Sequence, residues 1–476
     1  MRILIILLIF FVINTPVCGF EKEAVSSGNK LYLTLRECVY LALENNFDLK
    51  DAYVTRKLQQ YNYQIAENSF FPKLQISAGA DTSKGDPNNY SFNVRPHLSL
   101  KMPTGGDFSF SWSNILAGPD KNYASGMSMV FSQPLLSGFG VAGANLERSR
   151  INEKVSVLNL KDTISDTILN IISSYYSLLR AQRAVIDSEE AFKKAKKTLN
   201  TSKLLLNMGR IAKVDLLQTE ADVANQELSN VSSVANLEFA KTKLLEDLEL
   251  AEDLDISVAE DIDISEPESL EFSALLKIAK TRPSYQIALY SHQKNQITYQ
   301  INKSNQQVNV ALSASVSESG SGSSYREAVK DSFKLFSEGD WRVGLSTSYD
   351  FDRLAEDADV LSNEYFLKQS KRNIKKTTKL LKTEIATRIR DVKASSVKYK
   401  LAKKAKELAE KFVEIEQDKL RLGLSSNFKV IALQNNLKDA REQELEAKFS
   451  YFKNLSLLDK SLGTTLDTWK IEFKEE

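Results

Sequence analysis

The chain has 476 residues, room for about three domains at about 150 residues each. Its 63 Lys and Arg against 62 Asp and Glu leave a formal charge of +1, so no global field steers it to nucleic acid. With 26% charged and 42% hydrophobic residues it is neither disordered nor multi-spanning, and two His and two Cys are too few for most zinc, haem or iron–sulfur centres.

Residues 1–19 read as a signal peptide, with Arg2 as the positive start and Ile3 to Ile13 as an apolar run. Cleavage is expected after Val17-Cys18-Gly19, before Phe20. A lipoprotein signal through Cys18 is the alternative, with Pro16-Val17 a poor lead-in. Removal of the signal leaves Cys38 as the one thiol, so the mature chain has no disulfide to form. No run of about 18 apolar residues follows, so no transmembrane helix is expected. Membrane contact, if made, comes by another route.

A helix around Val39 to Leu49 is followed by alternating stretches. Leu74, Ile76, Ala78 and Ala80 form the first. Phe92, Val94, Leu98, Leu100 and Met102 then share a face, with Arg95, His97 and Lys101 on the other. Phe108, Phe110 and Trp112 follow the turn Pro103-Thr104-Gly105-Gly106, and Met127, Met129 and Phe131 close the series. In the second half Val308 to Val316 and Trp341 to Phe351 alternate in the same way, with Ser317 to Ser324 expected as an exposed Ser/Gly-rich loop between them. Period-two runs near ten residues, apolar on one face and polar on the other, suit outer-membrane barrel strands. A soluble half-buried sheet has the same period. Six strands are too few to close a barrel, for which eight is about the minimum, and an open edge cannot lie in lipid. Any barrel must therefore be pooled between copies.

Gly138-Phe139-Gly140-Val141-Ala142-Gly143 satisfies G-x-G-x-x-G, with Asp162 about 20 residues on. A dinucleotide site also needs a second parallel strand soon after. Here a helical pattern follows from Ala144 to Met208, about 95 Å at 1.5 Å per residue, so these glycines serve a sharp exit from strand to helix. Between Ala144 and Glu266 Gly209 is the one glycine, and between Leu345 and Leu462 Gly423 is the one glycine. Runs this clean read as long helices, each turning at its glycine.

The two turns lie 214 residues apart, and Leu206, Gly209, Leu216, Leu217 and Val223 fall on Leu420, Gly423, Val430, Ile431 and Leu437 at that offset. This is an internal repeat. The reading is a signal peptide at 1–19, a first repeat at 20–266 and a second at 267–476, with the boundary near Pro267. Each repeat runs helix, strands, long helix, Gly turn, long helix. Leu401, Ala405, Leu408, Phe412, Ile415 and Leu422 are spaced as an a/d seam, and Ile168, Ile172, Tyr175, Leu179 and Ile186 repeat it. Narrow seams on helices this long need partner helices, from this chain or from other copies. Tyr175 and Tyr176 read as core.

Order and motifs together resemble the TolC-like outer-membrane efflux proteins from about Leu33 to Trp469. The pieces that carry the likeness are Leu33-Thr34-Leu35 to Leu49, Phe71-Pro72-Lys73-Leu74, Ser132-Gln133-Pro134-Leu135-Leu136 and Leu422-Gly423-Leu424-Ser425-Ser426. The resemblance implies an α+β membrane protein: a homotrimer sharing one β-barrel in the outer-membrane lipid, continued by an antiparallel α-helical coiled-coil tunnel in the periplasm. It implies a passive exit duct of a tripartite efflux or type I secretion system, served by a periplasmic adaptor and an inner-membrane transporter. No catalysis, cofactor, metal or nucleic acid is implied.

The resemblance places the turns at the periplasmic tip, with adaptor docking at Gly209, Arg210 and Ile211 and at Gly423, Leu424, Ser425 and Ser426. Such proteins often narrow the aperture with acidic residues six and nine positions after the second glycine, where this chain has Lys429 and Ala432. Asp215, six after the first, is acidic, so Asp215 and Lys429 are expected at the aperture and a pairing between them is suggested. The usual pattern is also two strands per half, twelve in a trimer. The extra hairpin, Phe92 to Met102 with Phe108 to Trp112, either enlarges the barrel or lies outside it. An exported coiled-coil scaffold with a soluble sheet is the alternative function. His97 and His292 are too few for a metal cage, and the lysines from Lys393 to Lys411 alternate with apolar positions as a solvated helix face does.

Overall fold

The computed structural model describes residues 30–82, 90–117, 123–251, 253–259, 270–422, 424–425 and 427–471. The signal segment, Cys18, Pro267, Gly423 and Ser426 lie outside the described residues. The described chain forms two compact units, and each draws on both sequence halves. One takes residues up to Asn46, Asn170–Ser265 and Phe412–Glu446; the other takes Phe47–Leu169, Glu266–Lys411 and the residues from Ala447 onward.

In the first unit β1 (Lys30–Leu33) pairs parallel with β6 (Asp255–Val258). Helix α1 (Leu35–Asn45) starts on a capping box, in which Thr34 accepts from the Glu37 N–H and Glu37 accepts from the Thr34 N–H. Its apolar stripe buries Leu35, Cys38, Val39 and Ala42. Leu178, Leu244, Leu245, Leu248 and Ile256 are buried in the same unit. Tyr175 is fully buried and donates its hydroxyl to the Ala259 carbonyl at 2.5 Å, which satisfies the polar end of an otherwise apolar anchor. Tyr176 stacks edge-on against it at 5.8 Å. Burial pushes the Cys38 thiol up to about 12, with Glu37 adding to the shift.

The second unit holds a six-stranded sheet in the order β2-β3-β4-β5-β7-β8, antiparallel at every step. The strands are β2 (Lys73–Thr82), β3 (Tyr90–Lys101), β4 (Asp107–Ala117), β5 (Tyr123–Pro134), β7 (Asn309–Gly322) and β8 (Asp340–Ser348). Helices α2 (Phe47–Asn68), α5 (Phe272–Ala279) and α6 (Pro283–Asn305) belong to this unit. Helix α6 opens with Pro283 at its first turn, where a missing N–H costs nothing. Arg282, just before it, donates to Glu384 at 2.8 Å and to Ser284 at 2.7 Å.

The long elements are α3 (Val141–Asn207), of 67 residues, and α8 (Leu354–Arg421), of 68. Neither contains proline, and α3 has one glycine, Gly143, in its first turn. α4 (Lys213–Asp247) follows α3, and α9 (Asn427–Leu462) follows α8. A short α10 (Thr465–Thr468) ends the described chain.

One expectation is corrected. Ser317 to Ser324 is not a loop for most of its length, because β7 continues to Gly322 in register with Tyr123 of β5. Serine and glycine suit a strand here because β5 supplies the ladder and small side chains leave room above it. The room is used by α7 (Tyr325–Ser332) and the 3-10 turn Phe333–Phe336, which pack on β5 and β7.

Candidate functional site

Two regions carry the functional argument: the faces of the sheet and the two turns between long helices. Cross-strand partners share a face, and successive residues alternate between faces. One row of partners crosses all six strands as Leu74, Leu98, Phe110, Met129, Val316 and Trp341. A row on the other face reads Gln75, His97, Ser111, Ser128, Ser317 and Asp340. The first row is wholly apolar and the second wholly polar. Ser111 and Ser128 bond to each other at 2.7 Å on the polar face. His97 lies in that polar row, as the alternation predicts. The apolar face is not covered at the sheet edges, where Leu74, Ile76, Trp341, Val343 and Leu345 are exposed.

A helix covers one polar patch on the apolar face. Asn114, Ser125 and Gly320 are consecutive partners across β4, β5 and β7. Ser125 donates to Asn114 at 2.9 Å, the Trp112 indole donates to Ser125 at 2.9 Å, and the Ser332 hydroxyl of α7 lies 3.0 Å from Ser125. Tyr325 donates to Asn114 at 3.2 Å, and Phe333 packs edge-on against Trp112 at 5.9 Å. A Cβ at Gly320 would sit 2.3 Å from the Ala328 carbonyl, so glycine is what lets α7 approach. The sequence held a signal for α7: Ser324-Tyr325-Arg326-Glu327 is an S-x-x-E start, and Ser324 accepts from the Glu327 N–H.

The strand-to-helix exit uses the G-x-G-x-x-G glycines as expected. Gly138 and Gly140 have φ of 84° and 73°. Gly143 donates to the Pro103 carbonyl at 3.0 Å, so this segment is a packed corner.

At the first turn between long helices Gly209 has φ 68°, with its N–H on the Leu206 carbonyl at 2.9 Å. Arg210 donates back to Leu205 at 2.8 Å, which completes a Schellman stop. Ile211 and Ala212 bridge to α4, where Asp215 accepts from the Ala212 N–H at 3.1 Å. At the second turn Leu424 donates back to Lys419 at 2.8 Å, the same five-residue back-bond at the 214-residue offset. Ser425 donates to Glu416 at 2.6 Å, and Lys429 reaches the same carboxylate at 3.2 Å. Lys419 approaches its other oxygen at 3.6 Å. The Ser425 hydrogen bond, with Lys429 and Lys419, holds the Glu416 carboxyl below its ordinary range against the opposing effect of burial. Glu416 was not singled out from sequence; its spacing of three from Lys419 is the one local cue. Within the chain Asp215 and Lys429 thus bond to Ala212 and Glu416, each in its own turn.

His292 bonds to Ser370 at 2.8 Å, and among the described residues no three His, Cys, Asp or Glu side chains gather as a metal site. No helix among the described residues is long and apolar enough to cross a membrane.

Residues 38–244 match the family described as outer membrane efflux protein. No curated protein matches in sequence. Solved structures share the fold at low identity. The Campylobacter jejuni CmeC outer membrane channel is 17% identical with a TM-score of 0.66, over 90% of this chain and 86% of that one. The open-state Neisseria gonorrhoeae MtrE outer membrane channel is 16% identical with a TM-score of 0.65, over 91% and 89%. The outer membrane protein VceC from Vibrio cholerae is 15% identical with a TM-score of 0.65, over 90% and 96%. Over residues 38–244 the chain thus resembles the outer membrane efflux proteins, and over about nine-tenths of its length it has the fold of these outer membrane channels.

Proposed function

We propose that the chain is one third of a passive exit duct, in which three copies pool their sheets into one barrel in the outer membrane and their helices into a periplasmic tunnel. The observation that carries this reading is the division of the sheet into a wholly apolar row and a wholly polar row across six strands that cannot close alone. The exposed seam of α8 supports it: Leu401, Leu408, Phe412 and Ile415, with Leu422 just past the helix end, are exposed in the single chain. Of the first-half seam, Ile168, Ile172, Tyr175 and Leu179 are buried and Ile186 is exposed.

On this reading residues 1–19 direct export, and 20–266 and 267–476 are the two repeats. The matching back-bonds at the two turns agree with that division. Gly209, Arg210, Ile211, Gly423, Leu424, Ser425 and Ser426 face a periplasmic adaptor, and Asp215 and Lys429 line the aperture. An inner-membrane transporter supplies the energy for small molecules or polypeptides, in tripartite efflux or type I secretion.

The test is to express the chain with its signal in a Gram-negative host, fractionate the cells, and record purified protein in planar bilayers. Discrete conductance steps from a detergent-extracted outer-membrane trimer are expected. Protein recovered soluble from the periplasm without conductance overturns the duct and leaves the coiled-coil scaffold.

A further inference from the structure

The sheet leaves two strands half-paired: β2 at one edge and β8 at the other. We infer that β8 of one copy pairs antiparallel with β2 of the next copy, so that the β3–β4 hairpin is part of the barrel wall and three copies give eighteen strands. This rests on the pooled-barrel reading above and deepens it.

The hairpin is inside the ladder. β3 is paired with β2 along ten residues, from Lys73 with Ser99 to Thr82 with Tyr90, and β4 is paired with β5 from Asp107 with Ser132 to Ile115 with Ala124. A hairpin lying outside the wall would leave β2 paired directly with β5, which the order β2-β3-β4-β5 excludes within the chain. The hairpin also carries the two faces of its neighbours in phase, Leu98 and Phe110 in the apolar row and His97 and Ser111 in the polar row.

The second copy is the occupant that fits the edges. Six antiparallel strands run β2 and β8 in opposite directions, so a ring of identical sheets closes antiparallel at every seam. Leu74 and Ile76 of β2 lie on the same face as Trp341, Val343 and Leu345 of β8, so closure continues one apolar surface outside and one polar surface inside. Unpaired N–H and C=O groups have no solvent in hydrocarbon, so both edges must be satisfied by another strand. Among the described residues the other two strands, β1 and β6, pair with each other in a separate sheet. Barrel diameter grows roughly in proportion to strand number, so the conduit is about half again as wide as a twelve-stranded one.

The experiment places Gln75→Cys on β2 together with Arg342→Cys, Gly344→Cys or Ser346→Cys on β8, in the full-length protein in outer membranes. A short bis-maleimide is added, and detergent-extracted protein is imaged by cryo-electron microscopy. At least one pair is expected to give covalent dimers and trimers that neither single variant gives, and the images are expected to show eighteen strands. A twelve-stranded trimer, with Gln75→Cys linking to Ser128→Cys or Ser132→Cys of β5 in the same chain, overturns the inference and leaves the duct intact. A protein that needs no detergent and forms no ring of strands overturns the duct and this inference with it.

Discussion

Glu416 shows how a buried charge can serve a turn. Its side chain is 6% exposed, yet it holds Ser425 and both neighbouring lysines. Because its folded pKa lies below the ordinary 4.5, its contribution to the turn is fully present above that value and is lost as pH falls through the depressed one. Amide exchange at Leu422, Leu424 and Ser425 should therefore follow only the intrinsic pH dependence between pH 8 and 5.5. Glu416→Gln keeps the shape, removes the charge and frees Lys429 from this partner, and should speed exchange at those amides across the whole range. Equal protection in variant and wild type would show that the carboxylate does not hold the turn.

At the scale of elements, α7 is the part that composition hides. Its helix sits where the apolar face turns polar, over Asn114 and Ser125, and it reaches them because residue 320 has no side chain. Gly320→Val places a branched side chain against backbone, and overpacking of this kind costs about 1–3 kcal/mol. The variant should lower the thermal midpoint of the purified protein and open α7 to trypsin at Arg326 and Lys330. Unchanged cleavage and midpoint would mean that α7 does not depend on this approach. The sheet itself is better marked, because each strand alternates and each partner residue repeats the alternation.

For the whole molecule, the seam of α8 separates what one chain can bury from what it cannot. Phe412 and Ile415 are exposed, while Val413 is buried on the same helix. Apolar positions repeating along a helix without cover are what a partner helix fills. If the proposed trimer forms through this seam, Phe412→Asp with Ile415→Asp should abolish it in detergent while leaving the helical circular dichroism close to wild type. A trimer that survives both charges would place the contact between copies elsewhere.

The sequence by itself determined the local periods. Alternation over two residues marked the strands that became β2, β3, β4, β5, β7 and β8, and clean runs without glycine or proline marked α3 and α8. Gly209 was legible as a turn because a helix can end in the left-handed conformation at little cost only on glycine. These are properties of a residue and its near neighbours, which is why they could be read along the chain. Only the tertiary structure decided that the β3–β4 hairpin joins the ladder between β2 and β5, that the serine-rich stretch extends β7 under α7, and that Glu416 gathers Ser425 and Lys429. Each depends on hydrogen-bonding partners or packing that the local periods leave open. Alternation assigns faces but does not choose a strand's partner, which is set by ladder pairing and by the space its neighbours leave.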